Sequence, residues 1–154
     1  MRRLGSLSRL HLAVVLLAFA VVARGGASTV EPTVEELKQR FTAASVSERP
    51  HLCVAIAQQQ MVETARLYAA DDFDKAQRAL TDVVAYSELA RDYAIQSHKH
   101  QKQTEIAVRE ITRKLTDLMR SLPHDDQSPV RDAITRLQRV RDDLLAAMFP
   151  KGAK

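Results

Sequence analysis

The residues of this sequence best suited to hold a metal ion are three histidines, His51, His98 and His100, together with Cys53. Imidazole and thiolate are preferred zinc ligands, and a zinc site needs three or four ligands that converge on one point. His98 and His100 lie within the stretch IQSHKHQKQTEI and are two residues apart, so they would point to nearly opposite sides of a helix. We therefore expect no metal site and keep the three histidines as weak candidates.

Cys53 is the only cysteine, so the chain cannot form an internal disulfide. Its apolar neighbours Leu52, Val54 and Ile56 indicate a buried residue, since a free cysteine often serves as a small apolar core residue. The alternative is a reactive thiol, or one that forms a disulfide with another chain.

Sequence patterns of known catalytic sites are absent. The chain has no Gly-rich phosphate loop, no GxSxG, no HExxH, no CxxCH for haem and no CxxC. Carboxylate pairs such as Asp71–Asp72 and Asp125–Asp126 fall at predicted helix ends, where capping explains them. We therefore expect no catalytic residue and no cofactor, and the chain is predicted not to be an enzyme.

The N-terminal residues have the three parts of a secretory signal peptide. Arg2, Arg3 and Arg9 precede the apolar run LAVVLLAFAVVA, and RGGAS follows it with small residues placed for cleavage before Ser28. The apolar run has 12 residues, whereas a membrane span needs about 20. Residues 1–27 are therefore predicted to be the cleaved signal peptide of an exported protein, periplasmic or secreted. The alternative is an uncleaved segment that tethers the protein to the membrane.

Cleavage would change the charge balance of the chain. The full chain has 23 Lys and Arg against 19 Asp and Glu, a net charge of +4. Four of the arginines and none of the acids precede Ser28, which leaves 19 basic and 19 acidic residues in the exported part. A protein that binds nucleic acid needs a surplus of cations to displace the counterions of phosphate. We therefore expect no nucleic-acid partner.

The exported part is predicted to be all-α. It is rich in Ala, Leu, Gln, Arg and Glu, which lose little side-chain freedom in a helix, and it lacks the alternating β-branched runs of strands. We expect a short helix and linker over residues 28–48, a helical domain over 49–150 and a disordered tail over 151–154. N-caps are predicted at Thr33, Ser47, Asp72 and Ser128.

The middle of the chain is predicted to form one long helix. No helix-breaking residue appears between Phe73 and Pro123, so a helix over residues 73–121 would be about 73 Å long. Positions spaced alternately by four and three run along it, as in the seam of a coiled-coil-like contact. The helices before and after it would fold back as hairpins over its two ends and leave the middle exposed. The alternative is a kink near His98–His100 that closes a compact four-helix bundle.

In the middle of the long helix, the positions spaced by four and three residues carry small side chains. These would allow a second helix to approach closely. They are predicted to form an interaction seam, in a homodimer or with another protein partner. The seam residues are Ser87, Ala90, Ala94 and Ser97.

A locally basic stretch follows the seam. Acids are interspersed at spacings suited to ion pairs, for example Glu110 with Lys114. This pattern is typical of an exposed, salt-bridged helix and leaves open a contact with an acidic partner surface. The basic residues are Lys99, Lys102, Arg109, Arg113 and Lys114.

The stretch ARLYAADDFDKAQRAL resembles the inner turn of a tetratricopeptide repeat (TPR). In that family an acid, an aromatic residue and an alanine open the second helix, here Asp72, Phe73 and Ala76, and Leu80 follows four residues later. The chain departs from the pattern at Thr64, where the family has a small residue, and it lacks the closing proline. The resemblance implies one TPR-like hairpin without a peptide groove, because about three repeats are needed for a continuous core.

The exported part as a whole is similar to a family of exported bacterial helical proteins that carries no assigned activity. The stretches HKHQKQTEIAVREITRKL and RVRDDLLAAMFP carry this resemblance. Small periplasmic stress chaperones share the size and helical character, but their repeated LTxxQ pattern is missing here. We therefore expect a non-enzymatic helical protein that acts through protein–protein interaction. The alternatives are a periplasmic stress chaperone and a weak metal-binding sensor.

Overall fold

The computed structural model describes residues 31–150, which form helices and turns and contain no strand. This confirms the all-α class. None of these helices has both the length and the apolar character needed to cross a membrane. The predicted signal peptide and the C-terminal tail lie outside the described residues. In chain order the elements are α1 (Val34–Ala43), α2 (Arg49–Ala69), α3 (Phe73–Ser97), α4 (Gln101–Ser121), a short 3-10 helix (His124–Asp126) and α5 (Gln127–Met148).

Two of the four predicted N-caps are confirmed. At the start of α1, Thr33 Oγ1 accepts a hydrogen bond from the Glu36 N–H at 3.3 Å. The Glu36 carboxylate accepts one from the Thr33 N–H at 2.9 Å in return. At the start of α3, the Asp72 carboxylate accepts from the Lys75 N–H at 3.4 Å. These bonds satisfy N–H groups that the first turn of a helix leaves without partners.

The other two predicted N-caps are wrong. The chain enters α2 through a turn in which the Arg49 N–H donates to the Ser45 carbonyl at 3.2 Å, so the cap position falls at Glu48 rather than Ser47. The 3-10 helix runs directly into α5, which therefore begins at Gln127 and not after Ser128. In both places the preceding backbone is already helical, and a side-chain cap is not used.

The predicted single helix over residues 73–121 is wrong, because the chain breaks at His98–His100. α3 ends at Ser97 and α4 begins at Gln101. His98 and His100 both adopt left-handed backbone, with φ of 54° and 62°. Histidine is enriched several-fold among the residues other than glycine that adopt this conformation, so the break needs neither Gly nor Pro. The structure has the alternative architecture, a compact bundle.

The bundle consists of two antiparallel hairpins. α2 folds back on α3 at the Asp71–Asp72 turn, and α4 folds back on α5 across the 3-10 helix, as the sequence predicts. The break between α3 and α4 lets the second hairpin pack on the first, so that α5 lies along α3 and α4 along α2. Ion pairs Glu88–Arg136 at 2.8 Å and Arg91–Asp143 at 2.9 Å link α3 to α5.

The core lies where the two hairpins meet, and all four of their helices contribute to it. Each fully buried Leu, Ile or Val side chain stabilises the fold by about 1.5–3 kcal/mol. The principal apolar residues are Ala57 and Met61 from α2, Ala76, Leu80 and Val83 from α3, Val108, Ile111 and Leu115 from α4, and Val130, Leu137, Val140 and Leu144 from α5.

Arg49 attaches α1 to the bundle. Its guanidinium lies over the ring of Phe41 in α1, at 5.2 Å, and over the ring of Tyr93 in α3, at 5.1 Å. These two rings meet edge to face with their centroids 5.8 Å apart. Arg49 also donates from Nε to the Ala44 carbonyl and from Nη1 to Tyr93 Oη, each at 3.2 Å. One side chain therefore joins the end of α1, the start of α2 and the end of α3.

Candidate functional site

The predicted interaction seam lies inside the bundle. Ser87, Ala90 and Ala94 are buried, and Ser97 is half-buried at the end of α3. Ser87 Oγ donates to the Val83 carbonyl at 2.7 Å, so its hydroxyl is satisfied within its own helix. The small side chains do accept closely packed helices, but those helices belong to the same chain. A second chain cannot reach the buried part of this row while the bundle is closed.

The structure brings two of the three candidate metal ligands to one cavity and places the third outside it. His51 lies in the first turn of α2 and His100 directly precedes α4, and both line one cavity. His98, at the end of α3, is exposed and lies outside that cavity. Within residues 31–150, no three His, Cys, Asp or Glu side chains are grouped so that they could hold a metal ion. What His51 and His100 share is a cavity, and the other residues of its lining decide its chemistry.

The cavity that His51 and His100 line is open to solvent and has a volume of about 520 Å³. Its walls come from three segments: the end of α1, the start of α2 and the turn between α3 and α4. We call it the end cavity. Its apolar lining consists of Ala43, Ala44 and Leu52, and its polar lining consists of Arg40, Glu48, His51 and His100.

Glu48 is the only carboxylate in the lining of the end cavity, and one of its two oxygens, Oε2, is already engaged. It accepts hydrogen bonds from the Ser45 hydroxyl at 2.6 Å and from the Ser45 N–H at 3.0 Å. These two bonds hold the pKa of Glu48 below its ordinary value, the hydroxyl bond having the larger effect. Arg40, His51 and His100 form no side-chain hydrogen bond or ion pair with any residue between 31 and 150. The cavity therefore offers unpaired donors beside one carboxylate, which Ser45 holds through a single oxygen and which forms no ion pair with Arg40.

Cys53, the fifth residue of α2, is fully buried, which confirms the interpretation of a core residue. Burial raises the pKa of its thiol to about 12, and the nearby charge of Arg49 only partly offsets this rise. The thiolate is the reactive form of cysteine and the form that binds metals. Cys53 therefore supplies neither a nucleophile nor a ligand in the folded chain.

The Tyr68 hydroxyl is the one buried side-chain oxygen without a hydrogen-bond partner among residues 31–150. Its ring packs edge to face on Phe73, with the centroids 6.0 Å apart. Burial, and to a smaller degree the charge of Asp126, raises the pKa of Tyr68. It lies at the end of the bundle that holds the Asp71–Asp72 turn, away from His51 and His100.

The basic stretch of the sequence contains both paired and unpaired cations. Lys114 pairs with Glu110 at 3.3 Å, as predicted. Three other cations on α4 are exposed and form no ion pair within the described residues. Together with one exposed isoleucine they are spaced by four, three and four residues, so they form a single row on the face of α4 that points away from the core. This row, which we call the basic row, is Lys102, Ile106, Arg109 and Arg113.

Comparison with protein-family models, with curated proteins and with solved structures found no match for the chain. The hairpin of α2 and α3 is observed, but its likeness to a tetratricopeptide repeat stays a prediction, as does the similarity to an exported bacterial family.

Sequence reasoning missed Arg40 and Glu48, which line the same cavity as His51 and His100. These residues come from separate segments, and no spacing in the sequence connects them. A signal did exist for the basic row, because its spacing of four, three and four residues can be read directly. The sequence could not show which of its cations lack an acidic partner.

Proposed function

We propose that this chain is an exported, non-enzymatic helical protein that acts through protein–protein contact, and that the basic row of α4 binds an acidic surface of its partner. The observation that carries the proposal is the unpaired positive charge of this row. The buried seam cannot serve this purpose in the closed bundle, whereas the basic row is exposed along its whole length.

The acids of α4 do not neutralise the basic row, because each is engaged with another cation. Three positive charges therefore remain within about 17 Å along one helix face. A row of one sign attracts an acidic surface and steers its approach. The engaged pairs are Glu105–Arg141 at 2.9 Å, Glu110–Lys114 at 3.3 Å and Asp117–Arg120 at 3.3 Å.

Ile106 gives the basic row an apolar centre. Its side chain is 42% exposed, although isoleucine is among the residues most often buried. Lys102 lies four residues before it and Arg109 three residues after it, so cations flank it on the same face. An apolar contact surrounded by polar groups is the usual anatomy of a protein interface. The partner that fits is an acidic helix or loop with an apolar side chain at its centre.

A photo-activated cross-linking residue placed at position 106 would test this contact in the cell envelope. We expect one dominant adduct with an acidic protein, identified by mass spectrometry. Reversing the three charges with Lys102→Glu, Arg109→Glu and Arg113→Glu should remove this adduct, because the attraction becomes repulsion. Raising the salt concentration should weaken it, since exposed charges are screened.

Two matched controls make this test specific. The same cross-linking residue at Val62, which is 65% exposed on α2, should give no such adduct. A variant with Arg78→Glu, Arg131→Glu and Arg139→Glu changes the net charge equally but leaves the basic row intact, and it should retain the adduct. An adduct that survives reversal of the basic row, or that forms equally at Val62, contradicts the proposal. Cross-linking only to lipid or nucleic acid contradicts it as well.

The stress-chaperone and metal-sensor alternatives stay predictions. The exposed large apolar side chains of residues 31–150 that a chaperone could offer to clients are scattered over several elements: Val46, Val62, Ile106, Leu145 and Phe149. His51 and His100 share a cavity, but its remaining polar lining is the cation Arg40, which repels a metal ion, and Glu48, whose Oε2 is engaged with Ser45.

A further inference from the structure

The end cavity has the size and composition of a small-molecule site. Its volume of about 520 Å³ lies within the range of ligand pockets, which is about 300–1,000 Å³. Such pockets are mostly apolar and carry a few polar groups that fix the orientation of the ligand. Here Ala43, Ala44 and Leu52 form the apolar part. The polar part therefore determines which class of molecule fits.

The free polar groups of the end cavity favour an anion. Arg40 is always charged and forms no ion pair within the described residues, and the imidazoles of His51 and His100 have no hydrogen-bond partner there. The single carboxylate, Glu48, is held through Oε2 by Ser45 and forms no ion pair with Arg40, so the Arg40 guanidinium remains available to a ligand. A carboxylate matches the planar guanidinium of Arg40 and accepts two parallel hydrogen bonds from it.

One wall of the end cavity is held in place before any ligand binds. Arg49 Nε donates to the Ala44 carbonyl at 3.2 Å, and its guanidinium lies over the rings of both Phe41 and Tyr93. The end of α1, which carries Arg40 and Ala43, is therefore attached to the bundle. A site that is already formed loses less conformational freedom when it binds a ligand.

We propose that the end cavity binds a small organic acid with an apolar body, whose carboxylate contacts Arg40, His51 and His100 and whose apolar part lies on Ala43, Ala44 and Leu52. This goes beyond the proposed contact of α4 and does not depend on it, because the two surfaces share no residue. Bound acid would also hold α1 to the turn between α3 and α4, since the cavity takes residues from both.

Calorimetric titration of the purified protein with octanoate and benzoate tests the proposal. We expect saturable binding of at least one of these acids at millimolar concentration, accompanied by a rise in the melting temperature, because a ligand that binds only the folded state stabilises it. Octanamide and benzamide have the same shape without the charge, and they should bind at least about tenfold more weakly.

Variants locate the binding. Arg40→Gln and His100→Gln should each weaken the acid about ten- to a hundredfold, through loss of a charge-assisted hydrogen bond. Arg109→Gln on the basic row removes an equal charge elsewhere and should leave acid binding unchanged. Circular dichroism confirms that each variant is folded.

Three results would overturn the inference: no saturable binding of either acid, equal binding of acids and amides, or full binding by folded Arg40→Gln. Binding of an acidic peptide but of neither free acid would overturn it too. A failure of the acid-binding proposal can be told from a failure of the proposed partner contact of α4. Arg40→Gln leaves the basic row intact, and the charge reversal on α4 leaves the end cavity intact.

Discussion

The left-handed backbone of His98 and His100 marks the point at which the helix expected over residues 73–121 breaks. Left-handed backbone in a residue with a Cβ costs roughly 1–2 kcal/mol, so the pair together costs a few kcal/mol. The break lets α4 bury Val108, Ile111 and Leu115 against the first hairpin. Each of these contributes about 1.5–3 kcal/mol, so burial outweighs the strain.

The strain at His98 predicts an unusual response to glycine. His98→Gly should raise the free energy of unfolding by about 1 kcal/mol, because glycine adopts positive φ without steric cost. His98→Val should lower it, because a β-branched residue fits this conformation poorly. Urea denaturation of both variants measures the changes.

A neighbouring residue provides the control for His98. Gln96 is exposed and lies within the last turn of α3, so Gln96→Gly should lower the free energy of unfolding by about 0.5–1 kcal/mol, as glycine does in a helix. If glycine at position 98 destabilises the protein as much as glycine at 96, the helix continues through His98.

At the scale of the elements, α1 depends on contacts with its neighbours. It has ten residues, which is too short for stable helix formation in water, since isolated helices below about 12–15 residues are marginal. Leu37 is its one buried residue, and the remaining attachment comes from Arg49 and from Lys38, which pairs with Asp82 at 3.7 Å and lies over the ring of Tyr86 at 5.8 Å. α1 is therefore the helix that should open first, and the end cavity should be lost with it.

Arg49→Ala should detach α1 selectively. The change removes two cation–π contacts and two hydrogen bonds, and we expect a loss of about 2 kcal/mol. Hydrogen exchange followed by mass spectrometry should show faster exchange over α1, with little change in α4 and α5. Arg78→Ala, an exposed change on α3, should stay within about 0.5 kcal/mol of the parent. Uniform acceleration over all helices would show that α1 does not move as a separate element.

The two hairpins pack on each other instead of lying apart on a long rod. Ion pairs between α3 and α5 join the hairpins, and their buried side chains form one core. Local unfolding of one hairpin would expose the apolar face of the other, so α2 to α5 should unfold as one cooperative unit.

Small-angle X-ray scattering separates the bundle from the rod. A compact domain of this length has a radius of gyration of about 14 Å. A helix about 73 Å long, clasped only at its two ends, would give a value above about 20 Å. The measurement requires a monomeric sample, which light scattering verifies. A value near that of the rod would contradict the packing of α4 and α5 on the first hairpin.

Local sequence patterns are enough to predict the class of the fold, the two hairpins and the inward-facing residues. Composition, caps such as Thr33 and Asp72, and the row spaced by four and three depend on neighbours within a few turns. The positions spaced by four and three residues include buried residues on both sides of the break. Ala76 and Val83 lie before it, and Val108 and Leu115 lie after it.

Whether the long helix breaks at His98–His100, and which residues meet at the end cavity, depend on contacts between distant parts of the chain. Left-handed backbone at His98 and His100 is unfavourable locally and is maintained by the burial of α4, which involves residues distant in sequence. Arg40, His51 and His100 come together because three separate segments end at the same place. The stability of the break and the composition of the cavity depend on the packing of the whole chain, so neither follows from local sequence patterns.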